Sequence, residues 1–317
     1  MKRLLRSKWF WALVLILLAT SSGCLALATK LQKTFERAGF IEEWTPQDGV
    51  VHTNVVYDKT NQLDYDLYVP TRSKLKSPEA LILFIHGGAW NSGNKTDLAF
   101  ACKRYAKQGY VSATLKYTLF SEKNKTEYSL DRVLKDIENC LEHIKRHTEK
   151  LGCQVTQTAL AGYSAGGHLA LLYAYKCQKT SPLPIRFVFQ KVGPTDFHPD
   201  TWDNKTDLVA GLVSCFNQKL ISQEDIVSGQ AEELIRNASP VSFVTPESPP
   251  TVLAYGGKDR LVRQPNKHKL VQALKDNNVA HATIDFQNSG HILSEDPQAR
   301  DLFTQEVIRF AEKYFQP

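Results

Sequence analysis

The stretch Ala161-Gly162-Tyr163-Ser164-Ala165-Gly166-Gly167-His168 decides the fold of this 317-residue chain. An apolar, β-branched run at residues 155–160 precedes it and predicts a buried strand, and the apolar run at residues 168–175 predicts a helix. A G-x-S-x-G motif between a strand and a helix predicts a tight turn that exposes a serine nucleophile. The glycines on either side of the serine leave room for that turn. We therefore expect the Ser164 hydroxyl to project above the edge of a sheet.

A second glycine-containing loop follows the predicted buried strand at residues 80–85, and it reads His86-Gly87-Gly88-Ala89-Trp90. Acyl transfer through a serine develops an oxyanion that needs two or three fixed N–H donors. Consecutive glycines allow a backbone to approach that closely, and the residue after the nucleophile supplies a further donor. Gly87 shapes the turn. The backbone N–H groups that we assign as donors are those of Gly88, Ala89 and Ala165.

Two large side chains flank these glycines. The base of this chemistry is expected after the acid in chain order, so we predict that His86 anchors the loop through a hydrogen bond and is not the base. Trp90 has two interpretations that the sequence leaves open. It either packs under the loop or forms one wall of an acyl pocket.

Asp259 and His291 are the candidate acid and base that complete a catalytic triad. Asp259 lies in a loop after the apolar strand predicted at residues 250–255, and His291 follows the last predicted strand, residues 282–286. The order serine, aspartate, histidine matches the α/β-hydrolase arrangement and differs from that of other serine hydrolases. Asp285 is a rival acid, but it falls inside a predicted strand. We therefore predict that Asp259 orients His291 and that His291 takes the serine proton.

Several motifs in the same order resemble the α/β-hydrolase esterases with an H-G-G-x-W oxyanion motif, a group that includes BD-FAE-type carboxylesterases and is related to hormone-sensitive lipase. The resemblance covers roughly residues 50–315. It is carried by residues 63–70, 86–90, 115–117, Asp136, 162–170, 238–240, Pro249-Pro250, Asp259 and Gly290-His291. It implies an α/β-hydrolase fold, a mostly parallel central sheet with helices on both faces, and a single catalytic domain at residues 50–317.

The segment at residues 197–237 interrupts the alternation of strands and helices. The resemblance places a lid there, but a sheet-covering helix with long loops fits the pattern equally well. For the reaction, the resemblance implies hydrolysis of short- to medium-chain carboxylic esters, which are small-molecule substrates. Lipid esters, acetylated glycans and a non-catalytic binding module with this fold are the alternatives.

The N-terminal residues 1–23 predict a secretory signal peptide or an uncleaved signal anchor. A basic region is followed by an apolar run from Trp9 and then by small residues that end at Cys24. Cleavage before Cys24 with lipidation of its thiol is the interpretation we favour. The alternative is an uncleaved anchor at residues 9–28, which is long enough to span a bilayer. Both place the protein outside the cytoplasm and tethered to a membrane, with residues 24–49 as the tether.

Composition and motif content exclude several other classes of function. The net charge of +6 is modest and the basic residues are scattered, which argues against nucleic-acid binding. The sequence holds no phosphate loop, dinucleotide fingerprint or zinc motif, so we expect neither a cofactor nor a metal. His143 and His147 stand four residues apart on one predicted helix, where we expect a solvated face. The pairing of the six cysteines is not deducible from their spacing.

Overall fold

Eight strands form one sheet in the computed structural model, which describes residues 39, 41–76 and 79–316. The strands are Gly49–Asp58 (β1), Leu63–Pro70 (β2), Ala80–Ile85 (β3), Val111–Leu115 (β4), Gln157–Tyr163 (β5), Ile185–Lys191 (β6), Thr251–Gly256 (β7) and His281–Phe286 (β8). Their order across the sheet is β1-β2-β4-β3-β5-β6-β7-β8. Only the β1–β2 and β2–β4 pairs are antiparallel. The predicted mostly parallel sheet is confirmed.

Helices cover both faces of this sheet, as predicted. They are Ala99–Lys107 (α1), Leu130–Lys150 (α2), Ala165–Lys176 (α3), Thr206–Asn217 (α4), Gln223–Val227 (α5), Glu232–Ala238 (α6), Gln264–Asp276 (α7) and Pro297–Tyr314 (α8). Tyr105 of α1 and Phe303 of α8 pack against the same ring, that of Phe189 on β6. On the face of the sheet opposite to Phe189, the Tyr175 hydroxyl of α3 is hydrogen-bonded to the Thr251 hydroxyl. Because side chains alternate along strands, α1 and α8 share one face and α2, α3 and α7 the other.

The predicted elements around the serine match the structure with small shifts. The strand at residues 80–85 is confirmed at both ends, and the strand predicted at 155–160 is β5, which ends at Tyr163. The helix predicted from residue 168 begins earlier, at Ala165. Its first turn closes because the N–H of His168 donates to the carbonyl oxygen of Ser164. The apolar periodicity could not reveal this turn, because it consists of alanine and two glycines.

The predicted lid segment, residues 197–237, lies between β6 and β7 and contains most of the short helices α4, α5 and α6. Phe216 of α4 packs edge-on against Trp90, with ring centroids 4.9 Å apart. Phe197 packs against both rings. These contacts hold the segment against the loop that follows β3. Its role as a lid stays a prediction.

A buried ion pair joins the loop after β3 to the antiparallel edge of the sheet. The Lys95 ammonium lies between the carboxylates of Asp64 and Asp66 on β2 and also donates to Asn54 at 2.7 Å. The Lys95 and Asp66 side chains are only 6% and 7% exposed. Because water does not reach either side chain, each charge is stabilised mainly by the other.

The histidines that we expected on a solvated face of α2 instead contact the sheet. The Tyr65 hydroxyl lies 3.0 Å from His143 Nδ1 and 2.8 Å from His147 Nδ1. Burial lowers the pKa of both imidazoles. The expectation was wrong because β2 presents a tyrosine to this face, and the helix sequence alone does not show what faces it.

The predicted leader, Cys24 and most of the predicted tether lie outside the described residues. No helix in the part of the chain that the structure describes has both the length and the apolar character needed to cross a bilayer. The five cysteines within the described residues all carry free thiols, and three of them are buried. They are Cys102, Cys140, Cys153, Cys177 and Cys215.

Replacing Lys95 with alanine should destabilise the fold by about 3–5 kcal/mol, because it leaves the Asp66 carboxylate buried without its counter-charge. The free energy of unfolding, measured by urea titration, checks this value. The matched control is Lys125→Ala, which removes an exposed pair with Glu122 and should cost no more than about 1 kcal/mol. Equal losses in the two variants would contradict the importance of the buried pair.

Candidate active site

The chain turns sharply at Ser164, between the end of β5 and the start of α3. Ser164 has φ 53° and ψ −123°, a conformation that non-glycine residues rarely adopt. A Cβ atom on Gly162 would lie 2.1 Å from the carbonyl oxygen of Gly166, so a larger residue at position 162 would force the backbone to shift. The Ser164 N–H donates to the carbonyl oxygen of Lys191 on β6 at 2.9 Å. This turn therefore has the geometry of the predicted nucleophile elbow.

The predicted oxyanion loop lies directly beside this turn. A Cβ on Gly87 would stand 2.8 Å from the carbonyl oxygen of Tyr163 and 3.3 Å from Ser164 Cβ. Gly88 and Ala89 both have positive φ, 108° and 49°. Among the described residues, no acceptor takes a hydrogen bond from the N–H groups of Gly88, Ala89 or Ala165. The three predicted donors therefore stay available next to the serine.

His86 anchors this loop, in agreement with the prediction. Its buried ring stacks on Tyr117 at 4.4 Å, and its Nδ1 lies 2.8 Å from the Gly87 carbonyl oxygen. The Tyr117 hydroxyl donates to the carbonyl oxygen of His86 at 3.0 Å. Burial lowers the pKa of His86, so the ring is neutral and structural.

The structure brings Ser164, His291 and Asp259 together in one hydrogen-bonded chain. His291 Nε2 lies 2.9 Å from Ser164 Oγ, and His291 Nδ1 lies 2.7 Å from Asp259 Oδ2. The rival acid Asp285 lies on β8 and is not part of this hydrogen-bonded group; it pairs with Lys267 at 2.8 Å. The three side chains come from the ends of different strands, which parallel pairing brings to one edge of the sheet.

Asp259 is held in a fixed orientation and out of solvent. Its second oxygen, Oδ1, accepts from the backbone N–H groups of Leu261 at 2.8 Å and Val262 at 3.0 Å. The side chain is fully buried. These two backbone donors fix the orientation of the carboxylate, so that its other oxygen, Oδ2, faces His291 Nδ1.

Tyr163 makes a further contact with the loop of His291, which sequence reasoning missed. The Tyr163 hydroxyl donates to the backbone carbonyl oxygen of His291 in a short hydrogen bond. The two rings also pack edge-on at 5.8 Å. The residue before the nucleophile thus fixes the loop that carries the base.

His168 is a second residue whose role sequence reasoning missed. Its Nδ1 accepts from Trp90 Nε1 at 3.1 Å, and its Nε2 donates to the carbonyl oxygen of Ala238 at 2.8 Å. Trp90 is only 6% exposed, so of its two interpretations the structure supports packing. His168 thus links the oxyanion loop, the helix after the nucleophile and the end of α6. Its only sequence signal was a polar residue at the head of an apolar helix.

No group of three or more His, Cys, Asp or Glu side chains within residues 41–76 and 79–316 is placed to hold a metal ion.

Replacing His168 with glutamine should flatten the pH dependence of stability between about pH 6.5 and pH 4. Burial lowers the pKa of His168 to about 4 from 6.5. The unfolded chain therefore takes up the proton first, and the wild type loses up to about 3 kcal/mol over this window as the pH falls. Glutamine can make both hydrogen bonds of the neutral imidazole without titrating.

Urea unfolding of both proteins at about pH 7 and about pH 4.5 measures the effect. The variant should lose less stability than the wild type on acidification. Parallel losses would show that His168 does not stay neutral in the folded protein.

The chain is similar in sequence and in fold to known proteins. The chain is 24% identical over 208 residues to "Esterase LipC" of Mycobacterium tuberculosis, a match that covers 62% of this chain and 49% of LipC. The chain thus spans about half the length of this curated relative. Two solved structures share the fold, a truncated carbohydrate esterase from gut microbiota and esterase B from Lactobacillus rhamnosis.

The first of these structures has a TM-score of 0.67 at 16% identity and covers 84% of this chain and 100% of its own. The second has a TM-score of 0.65 at 20% identity and covers 91% of this chain and 94% of its own. Among family models, that of BD-FAE matches residues 65–274, which are 210 of the 317 residues. The chain has the α/β-hydrolase fold and belongs to the BD-FAE family.

Proposed function

We propose that this protein is a serine esterase that hydrolyses short- to medium-chain carboxylic esters through an acyl-enzyme. The observation that carries the proposal is the hydrogen-bonded chain from Ser164 through His291 to Asp259, at 2.9 Å and 2.7 Å. The unpaired N–H groups of the adjacent loop and helix support it, because acyl transfer needs both a nucleophile and an oxyanion hole.

The geometry supports the following sequence of steps. Ser164 Oγ attacks the ester carbonyl carbon while His291 Nε2 takes its proton, and the carbonyl oxygen becomes an oxyanion held by backbone N–H groups. His291 then gives the proton to the leaving alcohol, and the acyl group stays on the serine. A water molecule, activated by His291, releases the acid. Asp259 holds the imidazole in the tautomer that each step requires.

The names of the relatives support an ester substrate. LipC is named an esterase, and the two solved structures are titled as a carbohydrate esterase and an esterase. Small esters are the substrate class that we favour. Acetylated glycans and lipid esters are the alternatives, since their hydrolysis uses the same triad. A binding module without activity is a further alternative, but it would not need the strained serine or the unpaired donors.

Wild-type protein should hydrolyse p-nitrophenyl esters with a maximum rate below twelve acyl carbons, and Ser164→Ala should lower the rate by about 10³–10⁶-fold because the nucleophile is gone. Steady-state rates on a series of chain lengths measure both effects. A fluorophosphonate probe should label the wild type and not the variant. Gly211→Ala is the matched control, because a Cβ at Gly211 meets no other atom within 4 Å.

Contrary outcomes separate the alternatives. Near-normal turnover by Ser164→Ala would overturn the mechanism, and folded protein that neither labels nor turns over would favour the binding module. A rate that peaks at twelve carbons or beyond would favour lipid esters. Activity confined to acetylated xylan would favour glycans.

We propose further that the protein is exported and tethered to a membrane through a lipidated Cys24. The supports are the basic start of the chain, the apolar run that follows it and the small residues before the cysteine. Residues 9–28 as an uncleaved signal anchor are the alternative. In either form the tether would raise the local concentration of the enzyme at a bilayer surface.

Mass spectrometry of the membrane fraction from a bacterial host expressing the full chain tests this proposal. The mature N-terminal peptide should begin at Cys24 and carry the mass of attached acyl chains, and Cys24→Ser should abolish that mass. Cys215→Ser should leave it unchanged, since this thiol lies in the catalytic domain. A membrane-bound protein that retains residues 1–23 would show the signal anchor instead.

A further inference from the structure

A cavity lies beneath the nucleophile strand, on the face of the sheet that α1 and α8 cover. Its space is about 470 Å³ when its open mouth is included. Neither Ser164 nor His291 lines it. The walls are mainly aromatic and include Phe84, Phe100, Tyr105, Phe189 and Phe303. A pocket of this kind, apolar with a few polar groups, is the usual form of a small-molecule site.

Lys191, at the end of β6, is one of the polar residues that line this cavity, with Arg104, Gln190 and Thr304. Lys191 Nζ lies 4.7 Å from the ring centroid of Phe303 and 6.0 Å from that of Phe286. No carboxylate of the described residues forms a salt bridge with it. Lys191 is half-buried, so its ammonium is partly withdrawn from water. The cation–π contacts offset part of the cost of that withdrawal but do not replace a counter-ion.

The two guanidinium groups near Lys191 each have a carboxylate partner: Arg104 on α1 pairs with Glu42 at 3.4 Å, and Arg300 on α8 pairs with Asp301 at 3.0 Å. Burial, together with these two guanidinium groups, lowers the pKa of Lys191 to about 7. The titratable groups that β5 and α1 contribute are Tyr163 and Tyr105, whose pKa values burial raises. Both phenols are therefore neutral. Among the described residues, the Lys191 ammonium thus has aromatic neighbours but no carboxylate partner, and an anion bound in the cavity would supply that counter-charge.

We propose that this cavity is a binding site for a short organic monocarboxylate. The carboxylate pairs with the Lys191 ammonium, and the hydrocarbon tail packs against Phe189 and Phe303. One ammonium that lacks a carboxylate partner among the described residues, beside aromatic walls, suits a ligand with a single negative charge and an apolar tail. A phosphate, with more charge and no tail, would leave the aromatic walls without a partner.

Two contacts connect this cavity to the triad. The Tyr163 ring forms part of its wall, and the Tyr163 hydroxyl donates to the carbonyl oxygen of His291. The carbonyl oxygen of Lys191 accepts from the Ser164 N–H. Ester hydrolysis releases a carboxylic acid, so on the proposed function this site would sense the product. The binding itself does not depend on that function.

Calorimetric titration of the full chain with butyrate tests the proposal. We expect one bound butyrate, at least tenfold weaker binding in Lys191→Met, and at least tenfold weaker binding of the neutral analogue butyramide. Binding should weaken by at least tenfold from about pH 6 to about pH 9, because the free ammonium deprotonates. Lys313→Met is the matched control, since it removes an exposed ammonium 5.0 Å from the Tyr314 ring.

Chemical modification of the wild type gives a readout that needs no folded variant. Butyrate should slow acetylation of Lys191 by acetic anhydride, measured on its peptide by mass spectrometry, and should not slow that of Lys313. Equal affinity for butyrate and butyramide would overturn the proposal, as would unchanged binding in Lys191→Met. Failure of the wild type to bind, as expected if the chain itself fills the cavity, would also overturn it.

The same titration of Ser164→Ala separates this proposal from the esterase proposal. Butyrate affinity should be retained in this variant, because the Lys191 site does not use the nucleophile. In the active enzyme butyrate should inhibit non-competitively, and at least tenfold less potently in Lys191→Met. Wild-type protein that binds butyrate but hydrolyses no ester would contradict only the esterase function. Wild-type protein that hydrolyses esters but does not bind butyrate at Lys191 would contradict only the second site.

Discussion

The close approach of three backbone segments, with no side chains between them, is the constraint on which the site depends. A Cβ on Gly166 would stand 1.9 Å from the carbonyl oxygen of Ile85, and one on Gly256 would stand 2.5 Å from that of Gly290. The ends of β3, β5 and β7 meet their neighbouring loops at backbone contact. Because of this, N–H groups from separate segments can lie within reach of one hydroxyl. Larger residues at these positions would separate the segments.

Sequence patterns predicted those parts of the site that depend on a few residues close together in the chain. The serine, its flanking glycines and the histidine after the last strand each follow an apolar strand, and parallel strands bring their carboxyl ends to one edge. The mostly parallel sheet follows from the same alternation. The predicted ends of the strand and the helix around Ser164 differ from the observed ends by two or three residues, because alanine and glycine carry no apolar periodicity.

The parts that the sequence did not reveal depend on packing between distant segments. His168 meets Trp90, 78 residues away, and Ala238, 70 residues away. The ion pair between Lys95 and Asp66 joins residues 29 positions apart in the sequence, one in the loop after β3 and the other on β2. Each of these polar residues looked ordinary in its own element. A buried polar group must have a partner, but the identity of the partner is set by the fold.

The separation of the triad along the chain has a consequence for synthesis. Ser164 and His291 are 127 residues apart, and His291 follows the last strand. A nascent chain that has emerged only as far as β6 contains Ser164 but not His291. Non-local contacts form late in folding, so the hydrogen bonds that join Ser164, His291 and Asp259 form only when the sheet is complete. The order of the residues thus keeps the serine of a growing chain without its imidazole partner until the last strand has been made.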